Sequence, residues 1–201
     1  AILISQNEQI DLYTILLASI AASLVAAAGN IVNDIYDIES DKISHPDRVL
    51  VLGTLNKTEV KLEYIILNFI SAIISINLSQ TLFAIVFISA LLLFIYSAYL
   101  KKIPLIGNIT IALLTGLAFI YGGFASGNPV AANVPAVFAF LINLIREIVK
   151  DIQDIEGDTK AGVITFPIKF GFKKSKILIL IITISLILYT LYPFITELYK
   201  I

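Results

Sequence analysis

Two stretches of this 201-residue chain repeat one acidic pattern. Asp34-Ile35-Tyr36-Asp37-Ile38-Glu39-Ser40-Asp41 and Asp151-Ile152-Gln153-Asp154-Ile155-Glu156-Gly157-Asp158 both read D-I-x-D-I-E-x-D, offset by 117 residues. At about 100° per residue, positions i, i+3 and i+7 share a helix face, so Asp34, Asp37 and Asp41 form one stripe, which Asn30 joins one turn earlier. Asp151, Asp154 and Asp158 form a second stripe, with Glu147 in the place of Asn30. Three carboxylates on one stripe repel each other and, near lipid, call for positive charge among them. With no Cys and one His in the chain, the ligands on offer are all oxygen, which selects a hard cation, Mg²⁺ before Ca²⁺. Mg²⁺ keeps waters and shares its shell with substrate phosphate oxygens, so the chemistry suggested is a diphosphate held by Mg²⁺ between two acidic helices. Lys42, Arg48, Lys101, Lys102, Arg146 and Lys150 are the basic residues expected to take the remaining phosphate charge. A lone D-x-x-D at a helix end is more often a solvated turn, and the repetition argues against that reading here. Glu39 and Glu156 fall off the stripes and are expected in solvent, as is His45 beside Pro46.

The elements that carry these stripes belong in a membrane. The chain is 58 % hydrophobic, with 14 basic and 15 acidic side chains and a mean hydropathy of +0.93, against about 25 % charged residues in soluble domains. Absence of Cys excludes disulfides, Cys-ligated zinc, Fe–S clusters and a thiol nucleophile, and a net charge of −1 gives no reason to expect nucleic acid. Residues 34–63 carry eleven of the charges and residues 146–160 carry eight, whereas 12–33, 64–100, 103–145 and 177–196 carry none. A spanning helix needs about 20 apolar residues. The two longest runs therefore split, at Asn77-Leu78-Ser79-Gln80 and Gly127-Asn128-Pro129. Six spans are predicted, near 12–33, 64–78, 81–100, 103–122, 130–149 and 177–196, in an all-α polytopic helix bundle. Counting crossings puts both acidic stripes, Lys101-Lys102 and the Lys169–Lys176 cluster on one side with all basic residues except Lys200, and the positive-inside rule makes that side cytoplasmic. Gln6-Asn7-Glu8 in place of a basic leader argues against a signal peptide. Tyr96, Tyr99 and Tyr121, near span ends, are expected in an interfacial belt, and the Lys169–Lys176 cluster at anionic lipid.

At its motifs the chain resembles the intramembrane UbiA-type prenyltransferase superfamily. The family's N-D-x-x-D-x-x-x-D is matched by Asn33, Asp34, Asp37 and Asp41, and its D-x-x-D-x-x-G-D by Asp151, Asp154, Gly157 and Asp158. Gly29-Asn30, Tyr96-Ser97, Leu100-Lys101-Lys102, Gly107-Asn108 and Arg146-Glu147-Ile148-Val149-Lys150 are similar too. The stretch from Arg146 to Pro167, with Lys160-Ala161-Gly162 and Thr165-Phe166-Pro167, looks most like the archaeal branch that makes digeranylgeranylglyceryl phosphate. The usual R-P-x-R-P-[LI]-x-x-G loop departs here, reading His45-Pro46-Asp47-Arg48-Val49-Leu50-Val51-Leu52-Gly53.

This resemblance implies about nine helices around a central cavity, with Mg²⁺ and a prenyl diphosphate held by Asp34, Asp37, Asp41, Asp151, Asp154 and Asp158. It makes residues 1–201 one transmembrane domain, expected to be incomplete at both ends, since six spans are visible and no Met is present. The implied reaction is transfer of a geranylgeranyl group to the hydroxyl of geranylgeranylglyceryl phosphate. Arg48, Lys101, Lys102, Arg146 and Lys150 would neutralise phosphate, Asn30 and Asn33 would orient acceptor or diphosphate, and Tyr96 would guard the allylic cation. The expected partners are a prenyl diphosphate donor, a lipid-like phosphate acceptor and membrane lipids. An aromatic acceptor uses the same diphosphate site and stays open. Two readings of other classes are a divalent-cation transporter, which should carry its acidic groups near the bilayer midplane, and a membrane scaffold, to which neither motif would matter.

Overall fold

In the computed structural model, residues 11–160 and 162–195 are described, apart from the side chains of Ile43 and Ser44, and their regular structure is entirely helical. Gln6–Glu8, Ala161, Lys200 and the last residue of the final expected span, Thr196, lie outside the described residues. In chain order the helices are α1 (Leu12–Ser44), α2 (Val49–Leu52), α3 (Lys57–Leu78), α4 (Gln80–Ala98), a 3-10 turn (Leu100–Lys102), α5 (Ile106–Ala125), α6 (Pro129–Gln153), α7 (Ile155–Lys160), α8 (Phe166–Phe170), α9 (Phe172–Thr190) and α10 (Tyr192–Ile195).

The helix ends follow local chemistry. Asp11 opens α1 by accepting from the Tyr13 amide and the Thr14 hydroxyl, and no Gly or Pro then interrupts the helix before the first motif is complete, apart from the tolerated Gly29. Ser79 caps α4 through the Leu82 amide, and Asn128 caps α6 through the Ala131 amide with Pro129 in the first turn. Both sit at the predicted breaks, because a capping oxygen satisfies one of the helix's orphan amides.

Among the described residues, five helical segments are long and apolar enough to cross a membrane: α1, α4, α5, α6, and α9 with α10. The expected count was six. The difference is α3, whose first two turns carry Lys57, Glu59, Lys61 and Glu63 and whose inner face buries Ser71 and Ser75. Even so, α3 runs back along α1: its start shares a cavity with Asp34 and Asp41, and farther on the Ser71 hydroxyl donates to the Ala21 carbonyl at 2.8 Å. Its Ile65, Phe69 and Ile76 face outward, at 59 %, 65 % and 53 % exposure. The alternation of helix direction that puts both acidic motifs at one end is therefore kept.

Small residues let these helices approach closely, as membrane packing requires. Ala18 and Val25 of α1 pack with Leu82 and Val86 of α4 and Tyr121 of α5, while Ala112, Leu144, Ile148 and Ile182 join α5, α6 and α9. A Cβ on Gly116 would stand 2.9 Å from the Ala136 carbonyl oxygen, and one on Gly123 would stand 2.5 Å from the Ala132 Cβ, so α5 and α6 meet at a spacing larger residues would not permit. Tyr121 is thus a core residue, 5 % exposed, rather than a member of an interfacial belt. Tyr99 does face outward. The Lys169–Lys176 segment sits at the motif end, with the ammonium groups of Lys169 and Lys174 over the Phe170 ring and that of Lys176 over the Phe172 ring.

Candidate active site

The first motif lies on one unbroken helix, and each of its three aspartates meets a cation. Arg48, leading into α2, donates from a single guanidinium nitrogen to Asp34 Oδ1 at 3.0 Å and to Asp41 Oδ2 at 2.7 Å. Lys101, from the 3-10 turn, donates to Asp37 Oδ1 and approaches Asn33 Oδ1 at 3.5 Å. Both partners of the Lys101–Asp37 pair are largely buried.

The second motif is not one helical stripe. Asp151 is in α6, but the helix ends at Gln153, Asp154 occupies the turn, and Asp158 belongs to α7. The break is shallow, since the Asp158 amide still donates to the Asp154 carbonyl at 2.8 Å. Asp151 Oδ2 accepts from the Asn108 side chain at 3.0 Å. Lys150 lies within electrostatic range of both Asp151 and Asp158. Burial pushes the Asp158 carboxyl above the usual carboxylate range, with the charge of Asp154 adding to the effect and Lys150 opposing it.

One short connection ties the motifs together. Lys101, which holds Asp37, and Asn108, which holds Asp151, flank the link between α4 and α5. That link closes tightly because Gly107 has no Cβ; one would lie 3.0 Å from the Lys101 Cα and 3.1 Å from the Leu100 carbonyl oxygen. Leu105 sits at φ +69°, a left-handed conformation that costs a branched residue about 1–3 kcal/mol. Tyr96 packs against this link and lies within electrostatic range of Asp37 from one motif and Asp151 and Glu147 from the other. It is a residue of the site, not of a belt.

Other expected residues stand apart. Arg146 is turned outward to Glu147, at 3.0 Å, and Lys102 is exposed; neither makes a described ion pair with a motif aspartate. Lys42 is occupied by Glu39, as Lys160 is by Glu156, in solvent-facing pairs. Asn108 and Gly107 were visible only as flanking text of the resemblance. Neither carries charge, so the charge pattern gave no reason to place them in the site.

Nor do the six aspartates close on one point. Among the described residues no three acidic or histidine groups gather as a metal cage. Mg²⁺ does not need such a cage, because one or two carboxylates with waters and substrate phosphate complete its shell. Asp34 and Asp41 fit that demand, since a single Arg48 nitrogen already touches an oxygen of each and a cation at that point would reach both.

Two cavities meet at Asn30. The first, about 570 Å³, is lined by Asn33, Asp34, Asp41, Arg48 and Glu63 with apolar side chains of α2 and α3. The second, about 380 Å³, descends between α1, α4 and α5 past Val25, Ile85, Leu93, Leu114 and Tyr121. A charged mouth thus opens onto an apolar shaft, a shape suited to an anionic head with a hydrocarbon tail.

The model of the family described as "UbiA prenyltransferase family" matches residues 1–200. The digeranylgeranylglyceryl phosphate synthase of Methanocaldococcus jannaschii is 39 % identical over 203 residues, covering 99 % of this chain and 70 % of the relative. Those of Methanothermobacter thermautotrophicus and Sulfolobus acidocaldarius are 38 % and 41 % identical, over 83 % and 81 % of this chain and 59 % and 60 % of the relatives. The chain thus spans about three fifths of the length of several of the relatives it matches. A solved structure described as giving insight into digeranylgeranylglyceryl phosphate synthase in membranes superposes over the whole chain and 71 % of its own, with a TM-score of 0.87 and 37 % identity. A UbiA homolog from Archaeoglobus fulgidus bound to GPP and Mg²⁺ shares the fold, with a TM-score of 0.84 at 22 % identity over 94 % of this chain and 68 % of that one. With its paired aspartate motifs at one end of a membrane helix bundle, the chain belongs to the UbiA prenyltransferase family.

Proposed function

We propose that this protein transfers a prenyl group, geranylgeranyl, from its diphosphate to the hydroxyl of geranylgeranylglyceryl phosphate in a Mg²⁺-dependent reaction. The observation that carries this reading is the link between α4 and α5, which joins Lys101 to Asp37 and Asn108 to Asp151 and so ties both motifs to one connection at the same end of the bundle, where the first motif lines a charged cavity that shares Asn30 with an apolar one. The acceptor is supported by the relatives at 38–41 % identity, which are synthases of the doubly prenylated product.

Asp34, Asp37 and Asp41 with Asp151, Asp154 and Asp158 are the residues that would hold Mg²⁺. When bound, the ion supplies Lewis-acid neutralisation of charge growing on the departing diphosphate. Lys101, Lys150 and Arg48 add fixed positive charge at the same end, where the leaving group forms. Lys102 and Arg146, at the rim, draw anionic substrates in. Asn30, facing both cavities, and Asn33 orient the diphosphate where head and tail part. The tail lies among Val25, Ile85, Leu93 and Leu114, whose apolar surfaces exclude water from the allylic cation, and Tyr96 flanks that cation with its ring. The basic residues gathered at the motif end assign this face to the cytoplasm. Carboxylates at the bundle end, not at mid-depth, fit transfer better than ion transport.

The test is substitution of Asp37 or Asp154 by Ala, followed by incubation of membranes with radiolabelled geranylgeranyl diphosphate and a panel of glyceryl phosphate and aromatic acceptors. The expected outcome is loss of a product whose mass is that of the doubly prenylated glyceryl phosphate. Normal turnover in both variants, or a product formed only on an aromatic acceptor, would refute the assignment.

A further inference from the structure

Ether formation releases a proton, and the residues assigned so far all serve the diphosphate or the cation. We propose that Glu63 is the base that receives this proton, an assignment resting on the prenyl-transfer reading above. Three carboxylates line the charged cavity among the described residues: Asp34, Asp41 and Glu63. Asp34 and Asp41 are both engaged by Arg48. Elsewhere at this end Asp37 is held by Lys101, Glu39 by Lys42, Glu147 by Arg146 and Glu156 by Lys160, while Asp154 and Asp158 make no ion pair among the described residues but do not line this cavity. Glu63 makes no ion pair or hydrogen bond among the described residues. It comes from α3, a helix without a motif, is exposed, and lines the same cavity as Asp34 and Asp41 of α1.

Its surroundings suit the acceptor. Val49, Leu50, Leu55 and Val60 make the rest of that wall, so the cavity offers a charged side toward α1 and an apolar side around Glu63. An amphipathic alcohol fits such a space, with its hydroxyl between the two. In the step itself the C1–O bond to diphosphate breaks and its electron pair leaves with diphosphate. A lone pair of the acceptor hydroxyl forms the new C1–O bond, and the proton of the resulting oxonium passes to the Glu63 carboxylate and on to water. The oxonium is a strong acid, so a carboxylate is sufficient to take its proton. Asp34 and Asp41 would be poor choices, since their lone pairs are committed to cations.

The experiment uses the full-length protein in liposomes with Glu63→Gln, Glu63→Asp and Glu63→Ala. Three quantities are read: ether product, diphosphate released with prenyl alcohol as co-product, and Mn²⁺ affinity without donor. Glu63→Gln is expected to lose ether formation by about 100-fold or more, within the range for general acid–base groups, while diphosphate release and Mn²⁺ affinity persist. Glu63→Asp should keep part of the transfer, and added formate should restore it to Glu63→Ala. Ether formation within threefold of normal in Glu63→Gln overturns the proposal. So does a fall in Mn²⁺ affinity, which would make Glu63 a metal carboxylate, or no recovery with formate in a Glu63→Ala variant that still releases diphosphate. Asp37→Ala is assayed alongside. Normal Glu63→Gln beside an inactive Asp37→Ala defeats only the base assignment, whereas an active Asp37→Ala defeats the reading beneath it.

Discussion

Replacing Arg48 by Ala should improve metal binding while harming donor binding. One Arg48 nitrogen occupies the point between Asp34 and Asp41 at 3.0 and 2.7 Å, so a metal ion entering there must first displace it. The Asp34 half of that contact is cheap to break, since the arginine and aspartate side chains are 43 % and 47 % exposed, and such pairs contribute about 0–1 kcal/mol. Asp41 is only 8 % exposed, and a charge-assisted hydrogen bond there contributes about 1.5–3 kcal/mol. Solvation of the released guanidinium offsets part of this. Removing the competitor is therefore expected to tighten donor-free Mn²⁺ binding by about tenfold, equivalent to about 1.4 kcal/mol. Titration of the purified protein with Mn²⁺, following the free-ion paramagnetic signal, measures it. The same variant loses a cation proposed to meet the diphosphate, so its KM for the prenyl diphosphate should rise. Without metal its thermal stability should fall by about 1–3 kcal/mol, because Asp41 stays buried with no partner. Added Mg²⁺ should recover much of that loss by binding the folded state. Unchanged or weaker Mn²⁺ affinity in Arg48→Ala would refute the idea that this guanidinium stands where the metal goes.

Lys101→Met removes the cation from a pair whose side chains are 15 % and 22 % exposed; it should destabilise the protein by about 2–4 kcal/mol and lower transfer at least about tenfold, read by melting and by product formation. Asn108→Ala takes the donor from Asp151, which should cost about 1–3 kcal/mol, and Asn108→Asp should be worse because it adds a like charge. Gly107→Val should depress turnover without changing any group assigned to substrate, since its Cβ would meet the Lys101 and Leu100 backbone. Because the chain has no Cys, single cysteines can report orientation: a membrane-impermeant maleimide on intact cells should label Gln80→Cys and spare Thr54→Cys, and the opposite pattern would reverse the topology.

What could be read from the residues was what depends on short range. The spacing of Asp34, Asp37 and Asp41 needs only a helix, and α1 supplies it without interruption. The turns at Ser79 and Asn128 were legible because a capping side chain acts on an amide two or three residues away. The second stripe passes through a one-residue break at Asp154, with i to i−4 bonds kept on both sides of it, and nothing in D-I-Q-D-I-E marks that break. Tyr121 was misjudged because proximity to a span end says nothing about which way a ring faces; a side chain packed between α1 and α4 looks the same in sequence as one facing lipid. In α3, Lys57, Glu59, Lys61 and Glu63 confined the apolar span to 64–78, whereas the helix itself begins at Lys57 and runs back along α1.

Charge counting showed that six aspartates required cations, yet not which cations meet them, because the answer depends on how distant segments pack. Lys101 and Asp37 are 64 residues apart, and Asn108 and Asp151 are 43 apart. Of the basic residues near the motifs in sequence, Lys42 and Arg146 are spent on neighbouring glutamates. The work falls instead to Arg48, Lys101 and an uncharged amide. This division has a physical consequence that a cage of six carboxylates would lack. A preassembled acidic cage would bear its full mutual repulsion whenever the metal was absent. Here each carboxylate of the first motif has a protein cation beside it, and on the function proposed above the binding of metal and diphosphate would be an exchange of partners. Metal affinity should accordingly depend on the donor: diphosphate that draws Arg48 and Lys101 toward itself frees the aspartates for the ion. A titration in which Mn²⁺ bound equally well with and without a non-hydrolysable donor analogue would contradict that coupling.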